Sequence, residues 1–385
     1  MGVTKLEHIR KKKKFQKLIV NAGILFLVTI IIVVLYGLRS DISQLDIFDN
    51  IHYFFAGTTK GQGFPIALPD SNVKIIYEFD KDVAVKGKSN IYIYNKNGGL
   101  KSTISHRMQN AILKINQNRA LIYDRGSNTL AIHSKSKEIF KKDYENTIIS
   151  SDIAGNSSFA VAMSAQYYAS QVLVYSNAYE EVFRWASADK TANNISLSDD
   201  GKKIVISSLG IIEGELESTI SIYSVTSDRE IATIKLPNQI VLDMKYHKNK
   251  TVSVVTDTQT FLLTERGQIV NSYAFQGQKL SKFDLSDYKN MVIVLENITN
   301  NQTSKIISMN DRMQIRAEKE VPYIVKSLYT HQDSSYVLDR ENLYIYSAAL
   351  QDIKTQPMPQ VYDFCVINDA LYATTGTSIE YKKIS

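Results

Sequence analysis

The sequence predicts an all-β fold, an eight-bladed β-propeller preceded by one N-terminal transmembrane helix. Three observations lead to this prediction. A short apolar motif that often contains tyrosine returns eight times, at intervals of 36–48 residues. Each copy accompanies other short, alternating apolar runs separated by turn residues, which is typical of antiparallel strands. Only one stretch of the chain has the length and character of a long helix. Four strands in a repeat of about 40–45 residues form a propeller blade.

The long apolar stretch is residues 18–38, from Leu18 to Leu38, and it contains no charged residue. As a helix rising about 1.5 Å per residue it spans roughly 30 Å, the thickness of a bilayer's hydrocarbon core. A cleaved signal peptide is the competing interpretation, but its apolar region is about 7–15 residues and ends at a small-residue cleavage site. A buried core helix is a further alternative, although such helices seldom stay apolar on every face. We expect an uncleaved, single-pass signal anchor in the cell membrane.

The basic residues before this stretch predict its orientation. Residues 1–17 contain seven Lys or Arg and one acid, and such flanks stay in the cytoplasm. We therefore expect a cytoplasmic N-terminus and a large extracytoplasmic part. The whole chain has 45 Lys and Arg against 39 Asp and Glu, so 38 of each remain beyond the tail. Because acids and bases balance beyond the tail, this part of the chain lacks the excess positive charge that is expected of a nucleic-acid-binding surface. Cys365 is the single cysteine, which excludes an intrachain disulfide.

The remaining chain divides into a juxtamembrane linker over residues 39–62 and a propeller over residues 63–385. Aromatic residues in 45–55 fit either a short amphipathic helix at the membrane surface or packing on the domain. The recurring motif lies at 91–94, 130–133, 172–175, 220–223, 261–264, 306–309, 343–346 and 379–381. The first strands of the eight blades are predicted at 73–79, 111–115, 148–153, 194–197, 241–246, 280–285, 324–329 and 361–367.

The last repeat, residues 360–385, has room for three strands only. The extended segment 64–68 is predicted to pair beside residues 379–382 as the missing outer strand. Pro65 suits an edge strand because it has no N–H to donate to a ladder. Closure of the ring in this way removes the exposed sheet edges that invite aggregation. Seven blades is the alternative if segment 64–68 lies elsewhere.

Several stretches resemble a family of membrane-anchored Gram-positive proteins of unknown function, the domain-of-unknown-function family 5711. They are GQGFP (61–65), ALIYDRGSNTLAI (120–132), VYSNAYEEVFRWASADK (174–190), LSDDGKKIVIS (197–207) and GELESTISIY (214–223). The family is itself similar to PQQ-like and WD40-like propellers. The resemblance implies a propeller outside the membrane and brings no known active site. PQQ-like docking repeats use a tryptophan in each blade, whereas this chain has only Trp185. We therefore expect no cofactor.

No catalytic or metal-binding motif is present in the sequence. The six histidines are scattered, without HExxH or HxH, and one cysteine adds no zinc signature. Asp199, Asp200 and Gly201 match part of a calcium loop, but two lysines follow, which favours a tight hairpin turn. The nucleophile motifs G-x-S-x-G and S-x-x-K with its companions are also missing. The sequence therefore predicts a protein that is not an enzyme.

Two groups of polar and aromatic residues are candidates for partner binding. The first is Tyr123, Asp124 and Arg125, and the second is Trp185 next to an arginine. Tryptophan and arginine are frequent in interaction hot spots. Each group also has a structural interpretation, as a turn between strands and as packing between blades. Tyr167 and Tyr168, in a longer loop, are similarly open to both interpretations.

Together these observations predict an extracytoplasmic binding or scaffold module in the bacterial cell envelope, tethered by one helix. The expected partner is an envelope protein or a cell-wall polymer, and nucleic acid is not expected. Two alternatives remain. One is a glycan-active enzyme with two carboxylates at one mouth of the channel. The other is a ligand sensor, and because its tail is too short to fold it would signal through a membrane partner.

Overall fold

The computed structural model describes residues 23, 25–30, 61–116, 119–297 and 303–384. Residues 23 and 25–30 are helical. In this described part of the chain, no helix has the length and apolar character needed to cross a membrane. The predicted cytoplasmic tail, most of the predicted transmembrane helix and nearly all of the linker lie outside the described residues.

The described residues form 32 β-strands in eight four-stranded antiparallel sheets, which confirms the predicted eight-bladed propeller. Blades 1 to 4 comprise β2 (Ile75–Phe79), β3 (Asp82–Lys86), β4 (Asn90–Tyr94) and β5 (Leu100–Ser105); β6 (Ala111–Ile115), β7 (Ala120–Asp124), β8 (Thr129–His133) and β9 (Glu138–Asp143); β10 (Ile148–Ile153), β11 (Phe159–Ser164), β12 (Ser170–Tyr175) and β13 (Glu181–Ser187); and β14 (Thr191–Leu197), β15 (Lys203–Ile212), β16 (Glu215–Ser224) and β17 (Arg229–Pro237).

Blades 5 to 8 follow the same order. They comprise β18 (Val241–Tyr246), β19 (Thr251–Thr256), β20 (Gln259–Thr264) and β21 (Ile269–Ala274); β22 (Lys279–Asp284), β23 (Met291–Glu296), β24 (Ser304–Met309) and β25 (Ile315–Val321); β26 (Ser327–His331), β27 (Ser334–Leu338), β28 (Asn342–Ser347) and β29 (Asp352–Pro357); and β30 (Asp363–Ile367), β31 (Ala370–Thr374), β32 (Ser378–Lys383) and β1 (Ile66–Ala67).

The recurring apolar motif forms the third strand of every blade. Second and third strands are almost continuously buried, as in β7 and β12, because each sheet packs on neighbouring blades through both faces. In blades 1 to 7 the register between the third and fourth strands shifts at the end of this motif, for example at Tyr94 and Tyr175. Such bulges increase the local twist of a sheet. The repeat in the sequence is therefore a repeat of one buried strand and its bulge.

The first strand of each blade lies at the centre of the ring. The first strands of neighbouring blades contact one another, as β10 contacts β14 and β26 contacts β30. In the described part of the propeller, eight clusters of buried apolar side chains lie between successive blades, one at each seam. Burial of apolar surface contributes about 25 cal/mol per Å². The hydrophobic core is therefore distributed around the ring, between the blades.

Among the described residues, carboxylates of the first strands join neighbouring blades at three seams. Leu197 N–H donates to Asp152 Oδ2 at 2.9 Å, between blades 3 and 4. Thr330 N–H donates to Asp284 Oδ2 at 2.7 Å, between blades 6 and 7. Ile76 N–H donates to Asp363 Oδ2 at 3.3 Å, across the seam between blades 8 and 1. We call these contacts the inter-blade latches. They join the first strands of neighbouring blades directly, so they favour one arrangement of the channel wall.

The predicted closure of the ring by the N-terminal segment is confirmed. β1 pairs antiparallel with β32, with Ile66 opposite Ile379. Leu68 N–H donates to the carbonyl of Thr377 at 2.8 Å. The ring of Phe64 packs on those of Tyr372 and Tyr381, with centroids 5.3 and 5.5 Å apart. The outer strand of the last blade therefore comes from the start of the domain.

The propeller has two distinct faces because successive strands alternate in direction. Turns from first to second strands and from third to fourth strands lie on one face. The chain enters on this face, where Gly63 N–H donates to the carbonyl of Asn97, in the turn between β4 and β5, at 3.2 Å. We call it the entry face. Turns from second to third strands and the connections between blades lie on the opposite face.

Candidate functional site

A cavity of about 490 Å³ lies at the entry-face end of the channel. The residues that line it come from the ends of the first strands of blades 1 to 6 and from the turns that follow them. We call this cavity the funnel. Six blades therefore contribute to one concave surface, and the volume is in the range of small-molecule sites.

The inner wall of the funnel is apolar and firmly packed. Ile153, Leu197 and Tyr246 line it and are 6%, 3% and 5% exposed. Each is the last residue of a first strand and also belongs to a hydrophobic cluster between blades. Ile115 completes this part of the lining from blade 2. The wall is fixed because the same side chains hold the blades together.

Four carboxylates lie around this apolar wall. Two of them have cationic neighbours: Asp80 Oδ2 lies 2.8 Å from Lys135 Nζ, and Asp199 Oδ2 lies 4.0 Å from Lys248 Nζ. Asp287 Oδ1 accepts the N–H of Lys289 at 2.9 Å, which stabilises its own turn. These three groups are therefore held in place by contacts within the propeller.

Glu78 is the fourth carboxylate, and its partner is a phenol. Tyr329 Oη donates to Glu78 Oε2 at 3.1 Å, from blade 7 to blade 1. Burial raises the pKa of Glu78, and the hydrogen bond from Tyr329 opposes this rise. The side chain is also exposed at the funnel, so its other oxygen can accept hydrogen bonds from a ligand.

Blade 5 supplies the basic and aromatic part of the lining. Lys245 and Lys248 flank Tyr246 and His247 in sequence. Burial lowers the pKa of His247 to about 3, so this ring is neutral at physiological pH. Its Nε2 lies 2.7 Å from Ser253 Oγ, and its ring centroid is 5.9 Å from that of Tyr288. His247 therefore positions the wall, while the lysines offer positive charge.

The first strands of blades 2, 3 and 5 carry three charged residues, Lys114, Asp152 and Asp243, which are buried or partly buried. Burial opposes the charge of Lys114, but the carboxylates of Asp152 and Asp243 outweigh it and raise the pKa of Lys114. Burial raises the pKa of Asp243, and Lys114 opposes this rise. Asp152 also forms one of the inter-blade latches. The positive charge of Lys114 is therefore balanced by acids of the same channel wall.

The structure separates the residues that the sequence marked for partner binding. Tyr123 is 3% exposed and lies in the core between blades 2 and 3. Asp124 is 8% exposed and accepts the N–H groups of Asn110 and Gln109 at 2.8 and 3.2 Å. Arg125 is exposed in the turn that follows. Arg125 therefore lies in a turn between strands, whereas Tyr123 and Asp124 are the last two residues of β7.

Tyr167 and Tyr168 are 84% and 53% exposed, in the loop between β11 and β12. This loop and the turn of Arg125 join second to third strands, so they lie on the face opposite the funnel. Trp185 is in the outer strand β13, and its Nε1 donates to Tyr223 Oη of blade 4 at 3.2 Å. Its predicted packing between blades is confirmed. Of the six candidates, Arg125, Tyr167 and Tyr168 remain available on the surface.

The funnel was missed by sequence reasoning because its residues come from six turns spread over some 200 positions of the chain. One feature of the sequence does indicate this site: a polar residue follows several predicted first strands by one or two positions. Examples that line the funnel are Asn116, Asp199 and Asp287. Asp199 to Gly201 form the predicted hairpin turn, in which Lys202 N–H donates to Asp200 Oδ1 at 3.1 Å. Within the described residues, no cluster of three or more His, Cys, Asp or Glu side chains is arranged to hold a metal ion.

A closed ring of eight four-stranded blades around a funnelled channel defines a β-propeller. The chain belongs to a family of unknown function, DUF5711, whose profile matches residues 65–359. The resemblance noted in the sequence is thereby confirmed for the family. Comparison with curated proteins found no match in sequence.

Solved structures with the same fold share little sequence with this chain. BamB from Moraxella catarrhalis has a TM-score of 0.55 at 12% identity, covering 84% of this chain and 99% of BamB. The C-terminal WD40 domain of Sif2 has a TM-score of 0.61 at 9% identity, covering 84% and 99%. The dihydro-heme d1 dehydrogenase NirN has a TM-score of 0.51 at 12% identity, covering 78% and 67%. These similarities concern the propeller fold alone.

Proposed function

We propose that the protein is a binding and scaffold module of the bacterial cell envelope. In this proposal residues 18–38 cross the membrane once, residues 1–17 are cytoplasmic, and the propeller lies outside the cytoplasm. The apolar run and its basic flank support the topology. The fold supports the binding role because a propeller presents loops on a rigid ring.

The funnel is the observation that carries this proposal. Its wall is built from core residues, and the inter-blade latches hold the first strands from which it projects. A wall that is already ordered costs little conformational entropy when a ligand binds. The funnel therefore fits the role of a preformed recognition site better than that of a packing defect.

The charges of the funnel indicate the chemistry of its ligand. Glu78 and Asp287 have no lysine or arginine among the ion pairs of the described residues, and they suit an amino group of the ligand. Lys245 suits a carboxylate, and the apolar wall suits aliphatic or ring surface. Amino and carboxylate groups occur together in peptides and in peptide-bearing cell-wall polymers. We infer that such a chain enters the funnel.

Photo-crosslinking in living cells tests this site. A benzoylphenylalanine in place of Tyr288 should yield a discrete adduct with an envelope component. The matched control is the same substitution at Ile353, which is 58% exposed on the outer strand of blade 7. Lys245→Glu should abolish the adduct at position 288. Equal adduct patterns at positions 288 and 353, or no adduct at 288, would contradict the funnel as the binding site.

The topology has an independent test. Protease added to intact protoplasts should degrade the propeller, and a reporter that is active only in the cytoplasm should be inactive when fused after Ser385. An active reporter would show that the orientation is wrong. The crosslinking result does not depend on this outcome, so the site and the location are tested separately.

A glycan-active enzyme is the second candidate. One observation favours it: carboxylates of blades 1, 4 and 6 share the funnel, and a glycosidase needs two carboxyl groups at one site. Purified full-length protein would be incubated with cell-wall glycan fragments, and Glu78→Gln would be compared with Glu320→Gln on the outer strand of blade 6. Cleavage that only Glu78→Gln removes would favour the enzyme, and intact fragments would eliminate it.

A further inference from the structure

The channel mouth on the face opposite the funnel has an exposed apolar rim. On that face, large apolar side chains lie at the start of a first strand or within the three residues before it. They are Ile75 of blade 1 at 38% exposure, Ile240 and Leu242 of blade 5 at 37% and 45%, Ile324 of blade 7 at 39%, and Tyr362 of blade 8 at 40%. Blades 7, 8 and 1 are consecutive, and one blade separates 7 from 5. We call this surface the apolar arc.

Two lysines accompany the apolar arc on blades 7 and 1. Lys326 Nζ lies 4.8 Å and Lys74 Nζ lies 5.3 Å from the centroid of the Tyr362 ring. Lys326 Nζ also donates to the carbonyl of Val361 at 2.5 Å. Neither lysine takes part in the ion pairs found among the described residues. An ammonium has three donors, so both lysines retain capacity for a carboxylate.

The blade 5 end of the arc has a different electrostatic character. Here Ile240 N–H donates to Asp257 Oδ1 at 2.9 Å, which places a negative charge beside the aliphatic side chains Ile240 and Leu242. At the other end the carboxylate of Asp363 is occupied by Ile76 N–H at 3.3 Å and Ser327 Oγ at 2.7 Å, and two lysines accompany this one acid. An acidic partner is therefore favoured over blades 7, 8 and 1 and disfavoured over blade 5. The arc therefore distinguishes the two ends of an elongated ligand.

The shape of the arc favours a polypeptide over a bilayer. None of its apolar side chains is more than 45% exposed, so they form a shallow rim around the channel mouth. Insertion into a bilayer requires apolar groups that project from the surface. An extended or helical segment of a protein reaches recessed side chains more readily, as hydrophobic grooves do in peptide recognition.

We propose that the apolar arc binds a protein segment with acidic residues at one end and aliphatic residues at the other. The acidic end contacts Lys74 and Lys326, and the aliphatic end covers Ile240 and Leu242. Arg125, Tyr167 and Tyr168 lie on the same face, within the loops that surround the mouth. This proposal rests on the role of the protein as a binding module, but it uses neither the funnel nor the membrane topology.

Selection from a random peptide library displayed on phage tests this partner chemistry. The target is the full-length protein in detergent micelles. Enriched peptides should combine Asp or Glu with Leu, Ile or Val, and their affinity is measured by fluorescence anisotropy with a synthetic copy. Lys74→Glu with Lys326→Glu should lower that affinity at least tenfold, because two attractive charges become repulsive. The charge-matched control is Lys202→Glu with Lys383→Glu, which changes two exposed lysines of the entry face.

A second pair of variants tests the aliphatic end. Leu242→Asp should lower the affinity at least tenfold, whereas Ile353→Asp on the outer wall should not change it. Enriched peptides without net negative charge, or equal affinities for the arc variants and their controls, would overturn the proposal. A different result would assign the arc to a membrane and would also overturn the proposal. In that case the protein binds phosphatidylglycerol vesicles, the arc variants abolish this binding, and the selection does not enrich acidic peptides. A specific crosslink at position 288 would leave the proposed function standing in either case.

Discussion

Replacement of Phe64 by alanine removes the main aromatic contact of the closing strand without deleting any backbone. Phe64 is half-buried against the cluster between blades 8 and 1, and its ring contacts both Tyr372 and Tyr381. β1 itself offers only two paired residues, Ile66 and Ala67. The side chains before and after it therefore contribute much of the stability of this seam.

The magnitude follows from burial and ring contacts. A fully buried phenylalanine contributes up to about 3 kcal/mol, so a half-buried one contributes about 1.5 kcal/mol. Two aromatic contacts add roughly 0.5–1.5 kcal/mol together, because each is only partly desolvated. We expect Phe64→Ala to lower the free energy of unfolding by about 2–3 kcal/mol. The control Ile353→Ala, at a side chain that is 58% exposed, should change it by less than about 0.5 kcal/mol.

Urea denaturation with two probes measures this effect. Trp185 is the single tryptophan and lies at the seam between blades 3 and 4, whereas Phe64 lies at the seam between blades 8 and 1. Its fluorescence therefore reports unfolding on the far side of the ring, and circular dichroism reports all blades. If the ring unfolds as a unit, Phe64→Ala lowers the midpoint of both probes equally at constant slope.

Two results would refute this reasoning. An unchanged Trp185 midpoint, together with an early second transition in circular dichroism, would mean that the last blade opens by itself. Unchanged midpoints of both probes would mean that β1 does not stabilise the closed ring.

Four further predictions concern single side chains. Burial raises the pKa of Asp363 in the folded protein. The contribution of this group to stability is therefore greatest below its unfolded pKa of about 3.9, and it is lost as pH rises through the folded pKa. Asp363→Asn should flatten this part of the curve of unfolding free energy against pH. The pKa of His247, lowered by burial to about 3, predicts the opposite slope, with stability lost as pH falls from about 6.5 towards 3, and His247→Gln should remove it. Burial raises the pKa of the Cys365 thiol, which should react with a thiol reagent only after unfolding in urea. Tyr223→Phe removes the acceptor of the Trp185 indole N–H and should cost about 1 kcal/mol in urea denaturation.

The blade count was predictable because pairing within a blade is local. Each strand follows its partner in the chain, so the third strands at 91–94 or 172–175 repeat at a period that the sequence displays directly. The first strands of blades 2, 3 and 5 match their predicted bounds. Ring closure was also predictable, since the last repeat lacked a strand and segment 64–68 was unassigned. The predicted membrane anchor and extracytoplasmic location stay predictions.

The candidate site was less accessible from the sequence. The sequence suggests Tyr123 and Asp124 as a polar-aromatic binding group. In the structure Tyr123 is buried in the core, and Asp124 accepts the N–H of Asn110. A sequence displays residue types but not which of them a neighbouring blade covers. Burial of Tyr123 depends on blade 3, whose residues follow some thirty positions later.

The sequence by itself determined the strands, their order within each blade and the closure of the ring, because these depend on local periodicity and short connections. Only the tertiary structure decided which side chains meet at the channel. Glu78 and Tyr329 are 251 positions apart, and Asp363 and Ile76 are 287 positions apart, yet each pair is joined by a hydrogen bond. The physical reason is the geometry of the ring: it brings the ends of all first strands to one axis, so that residues remote in the chain share the funnel and the apolar arc.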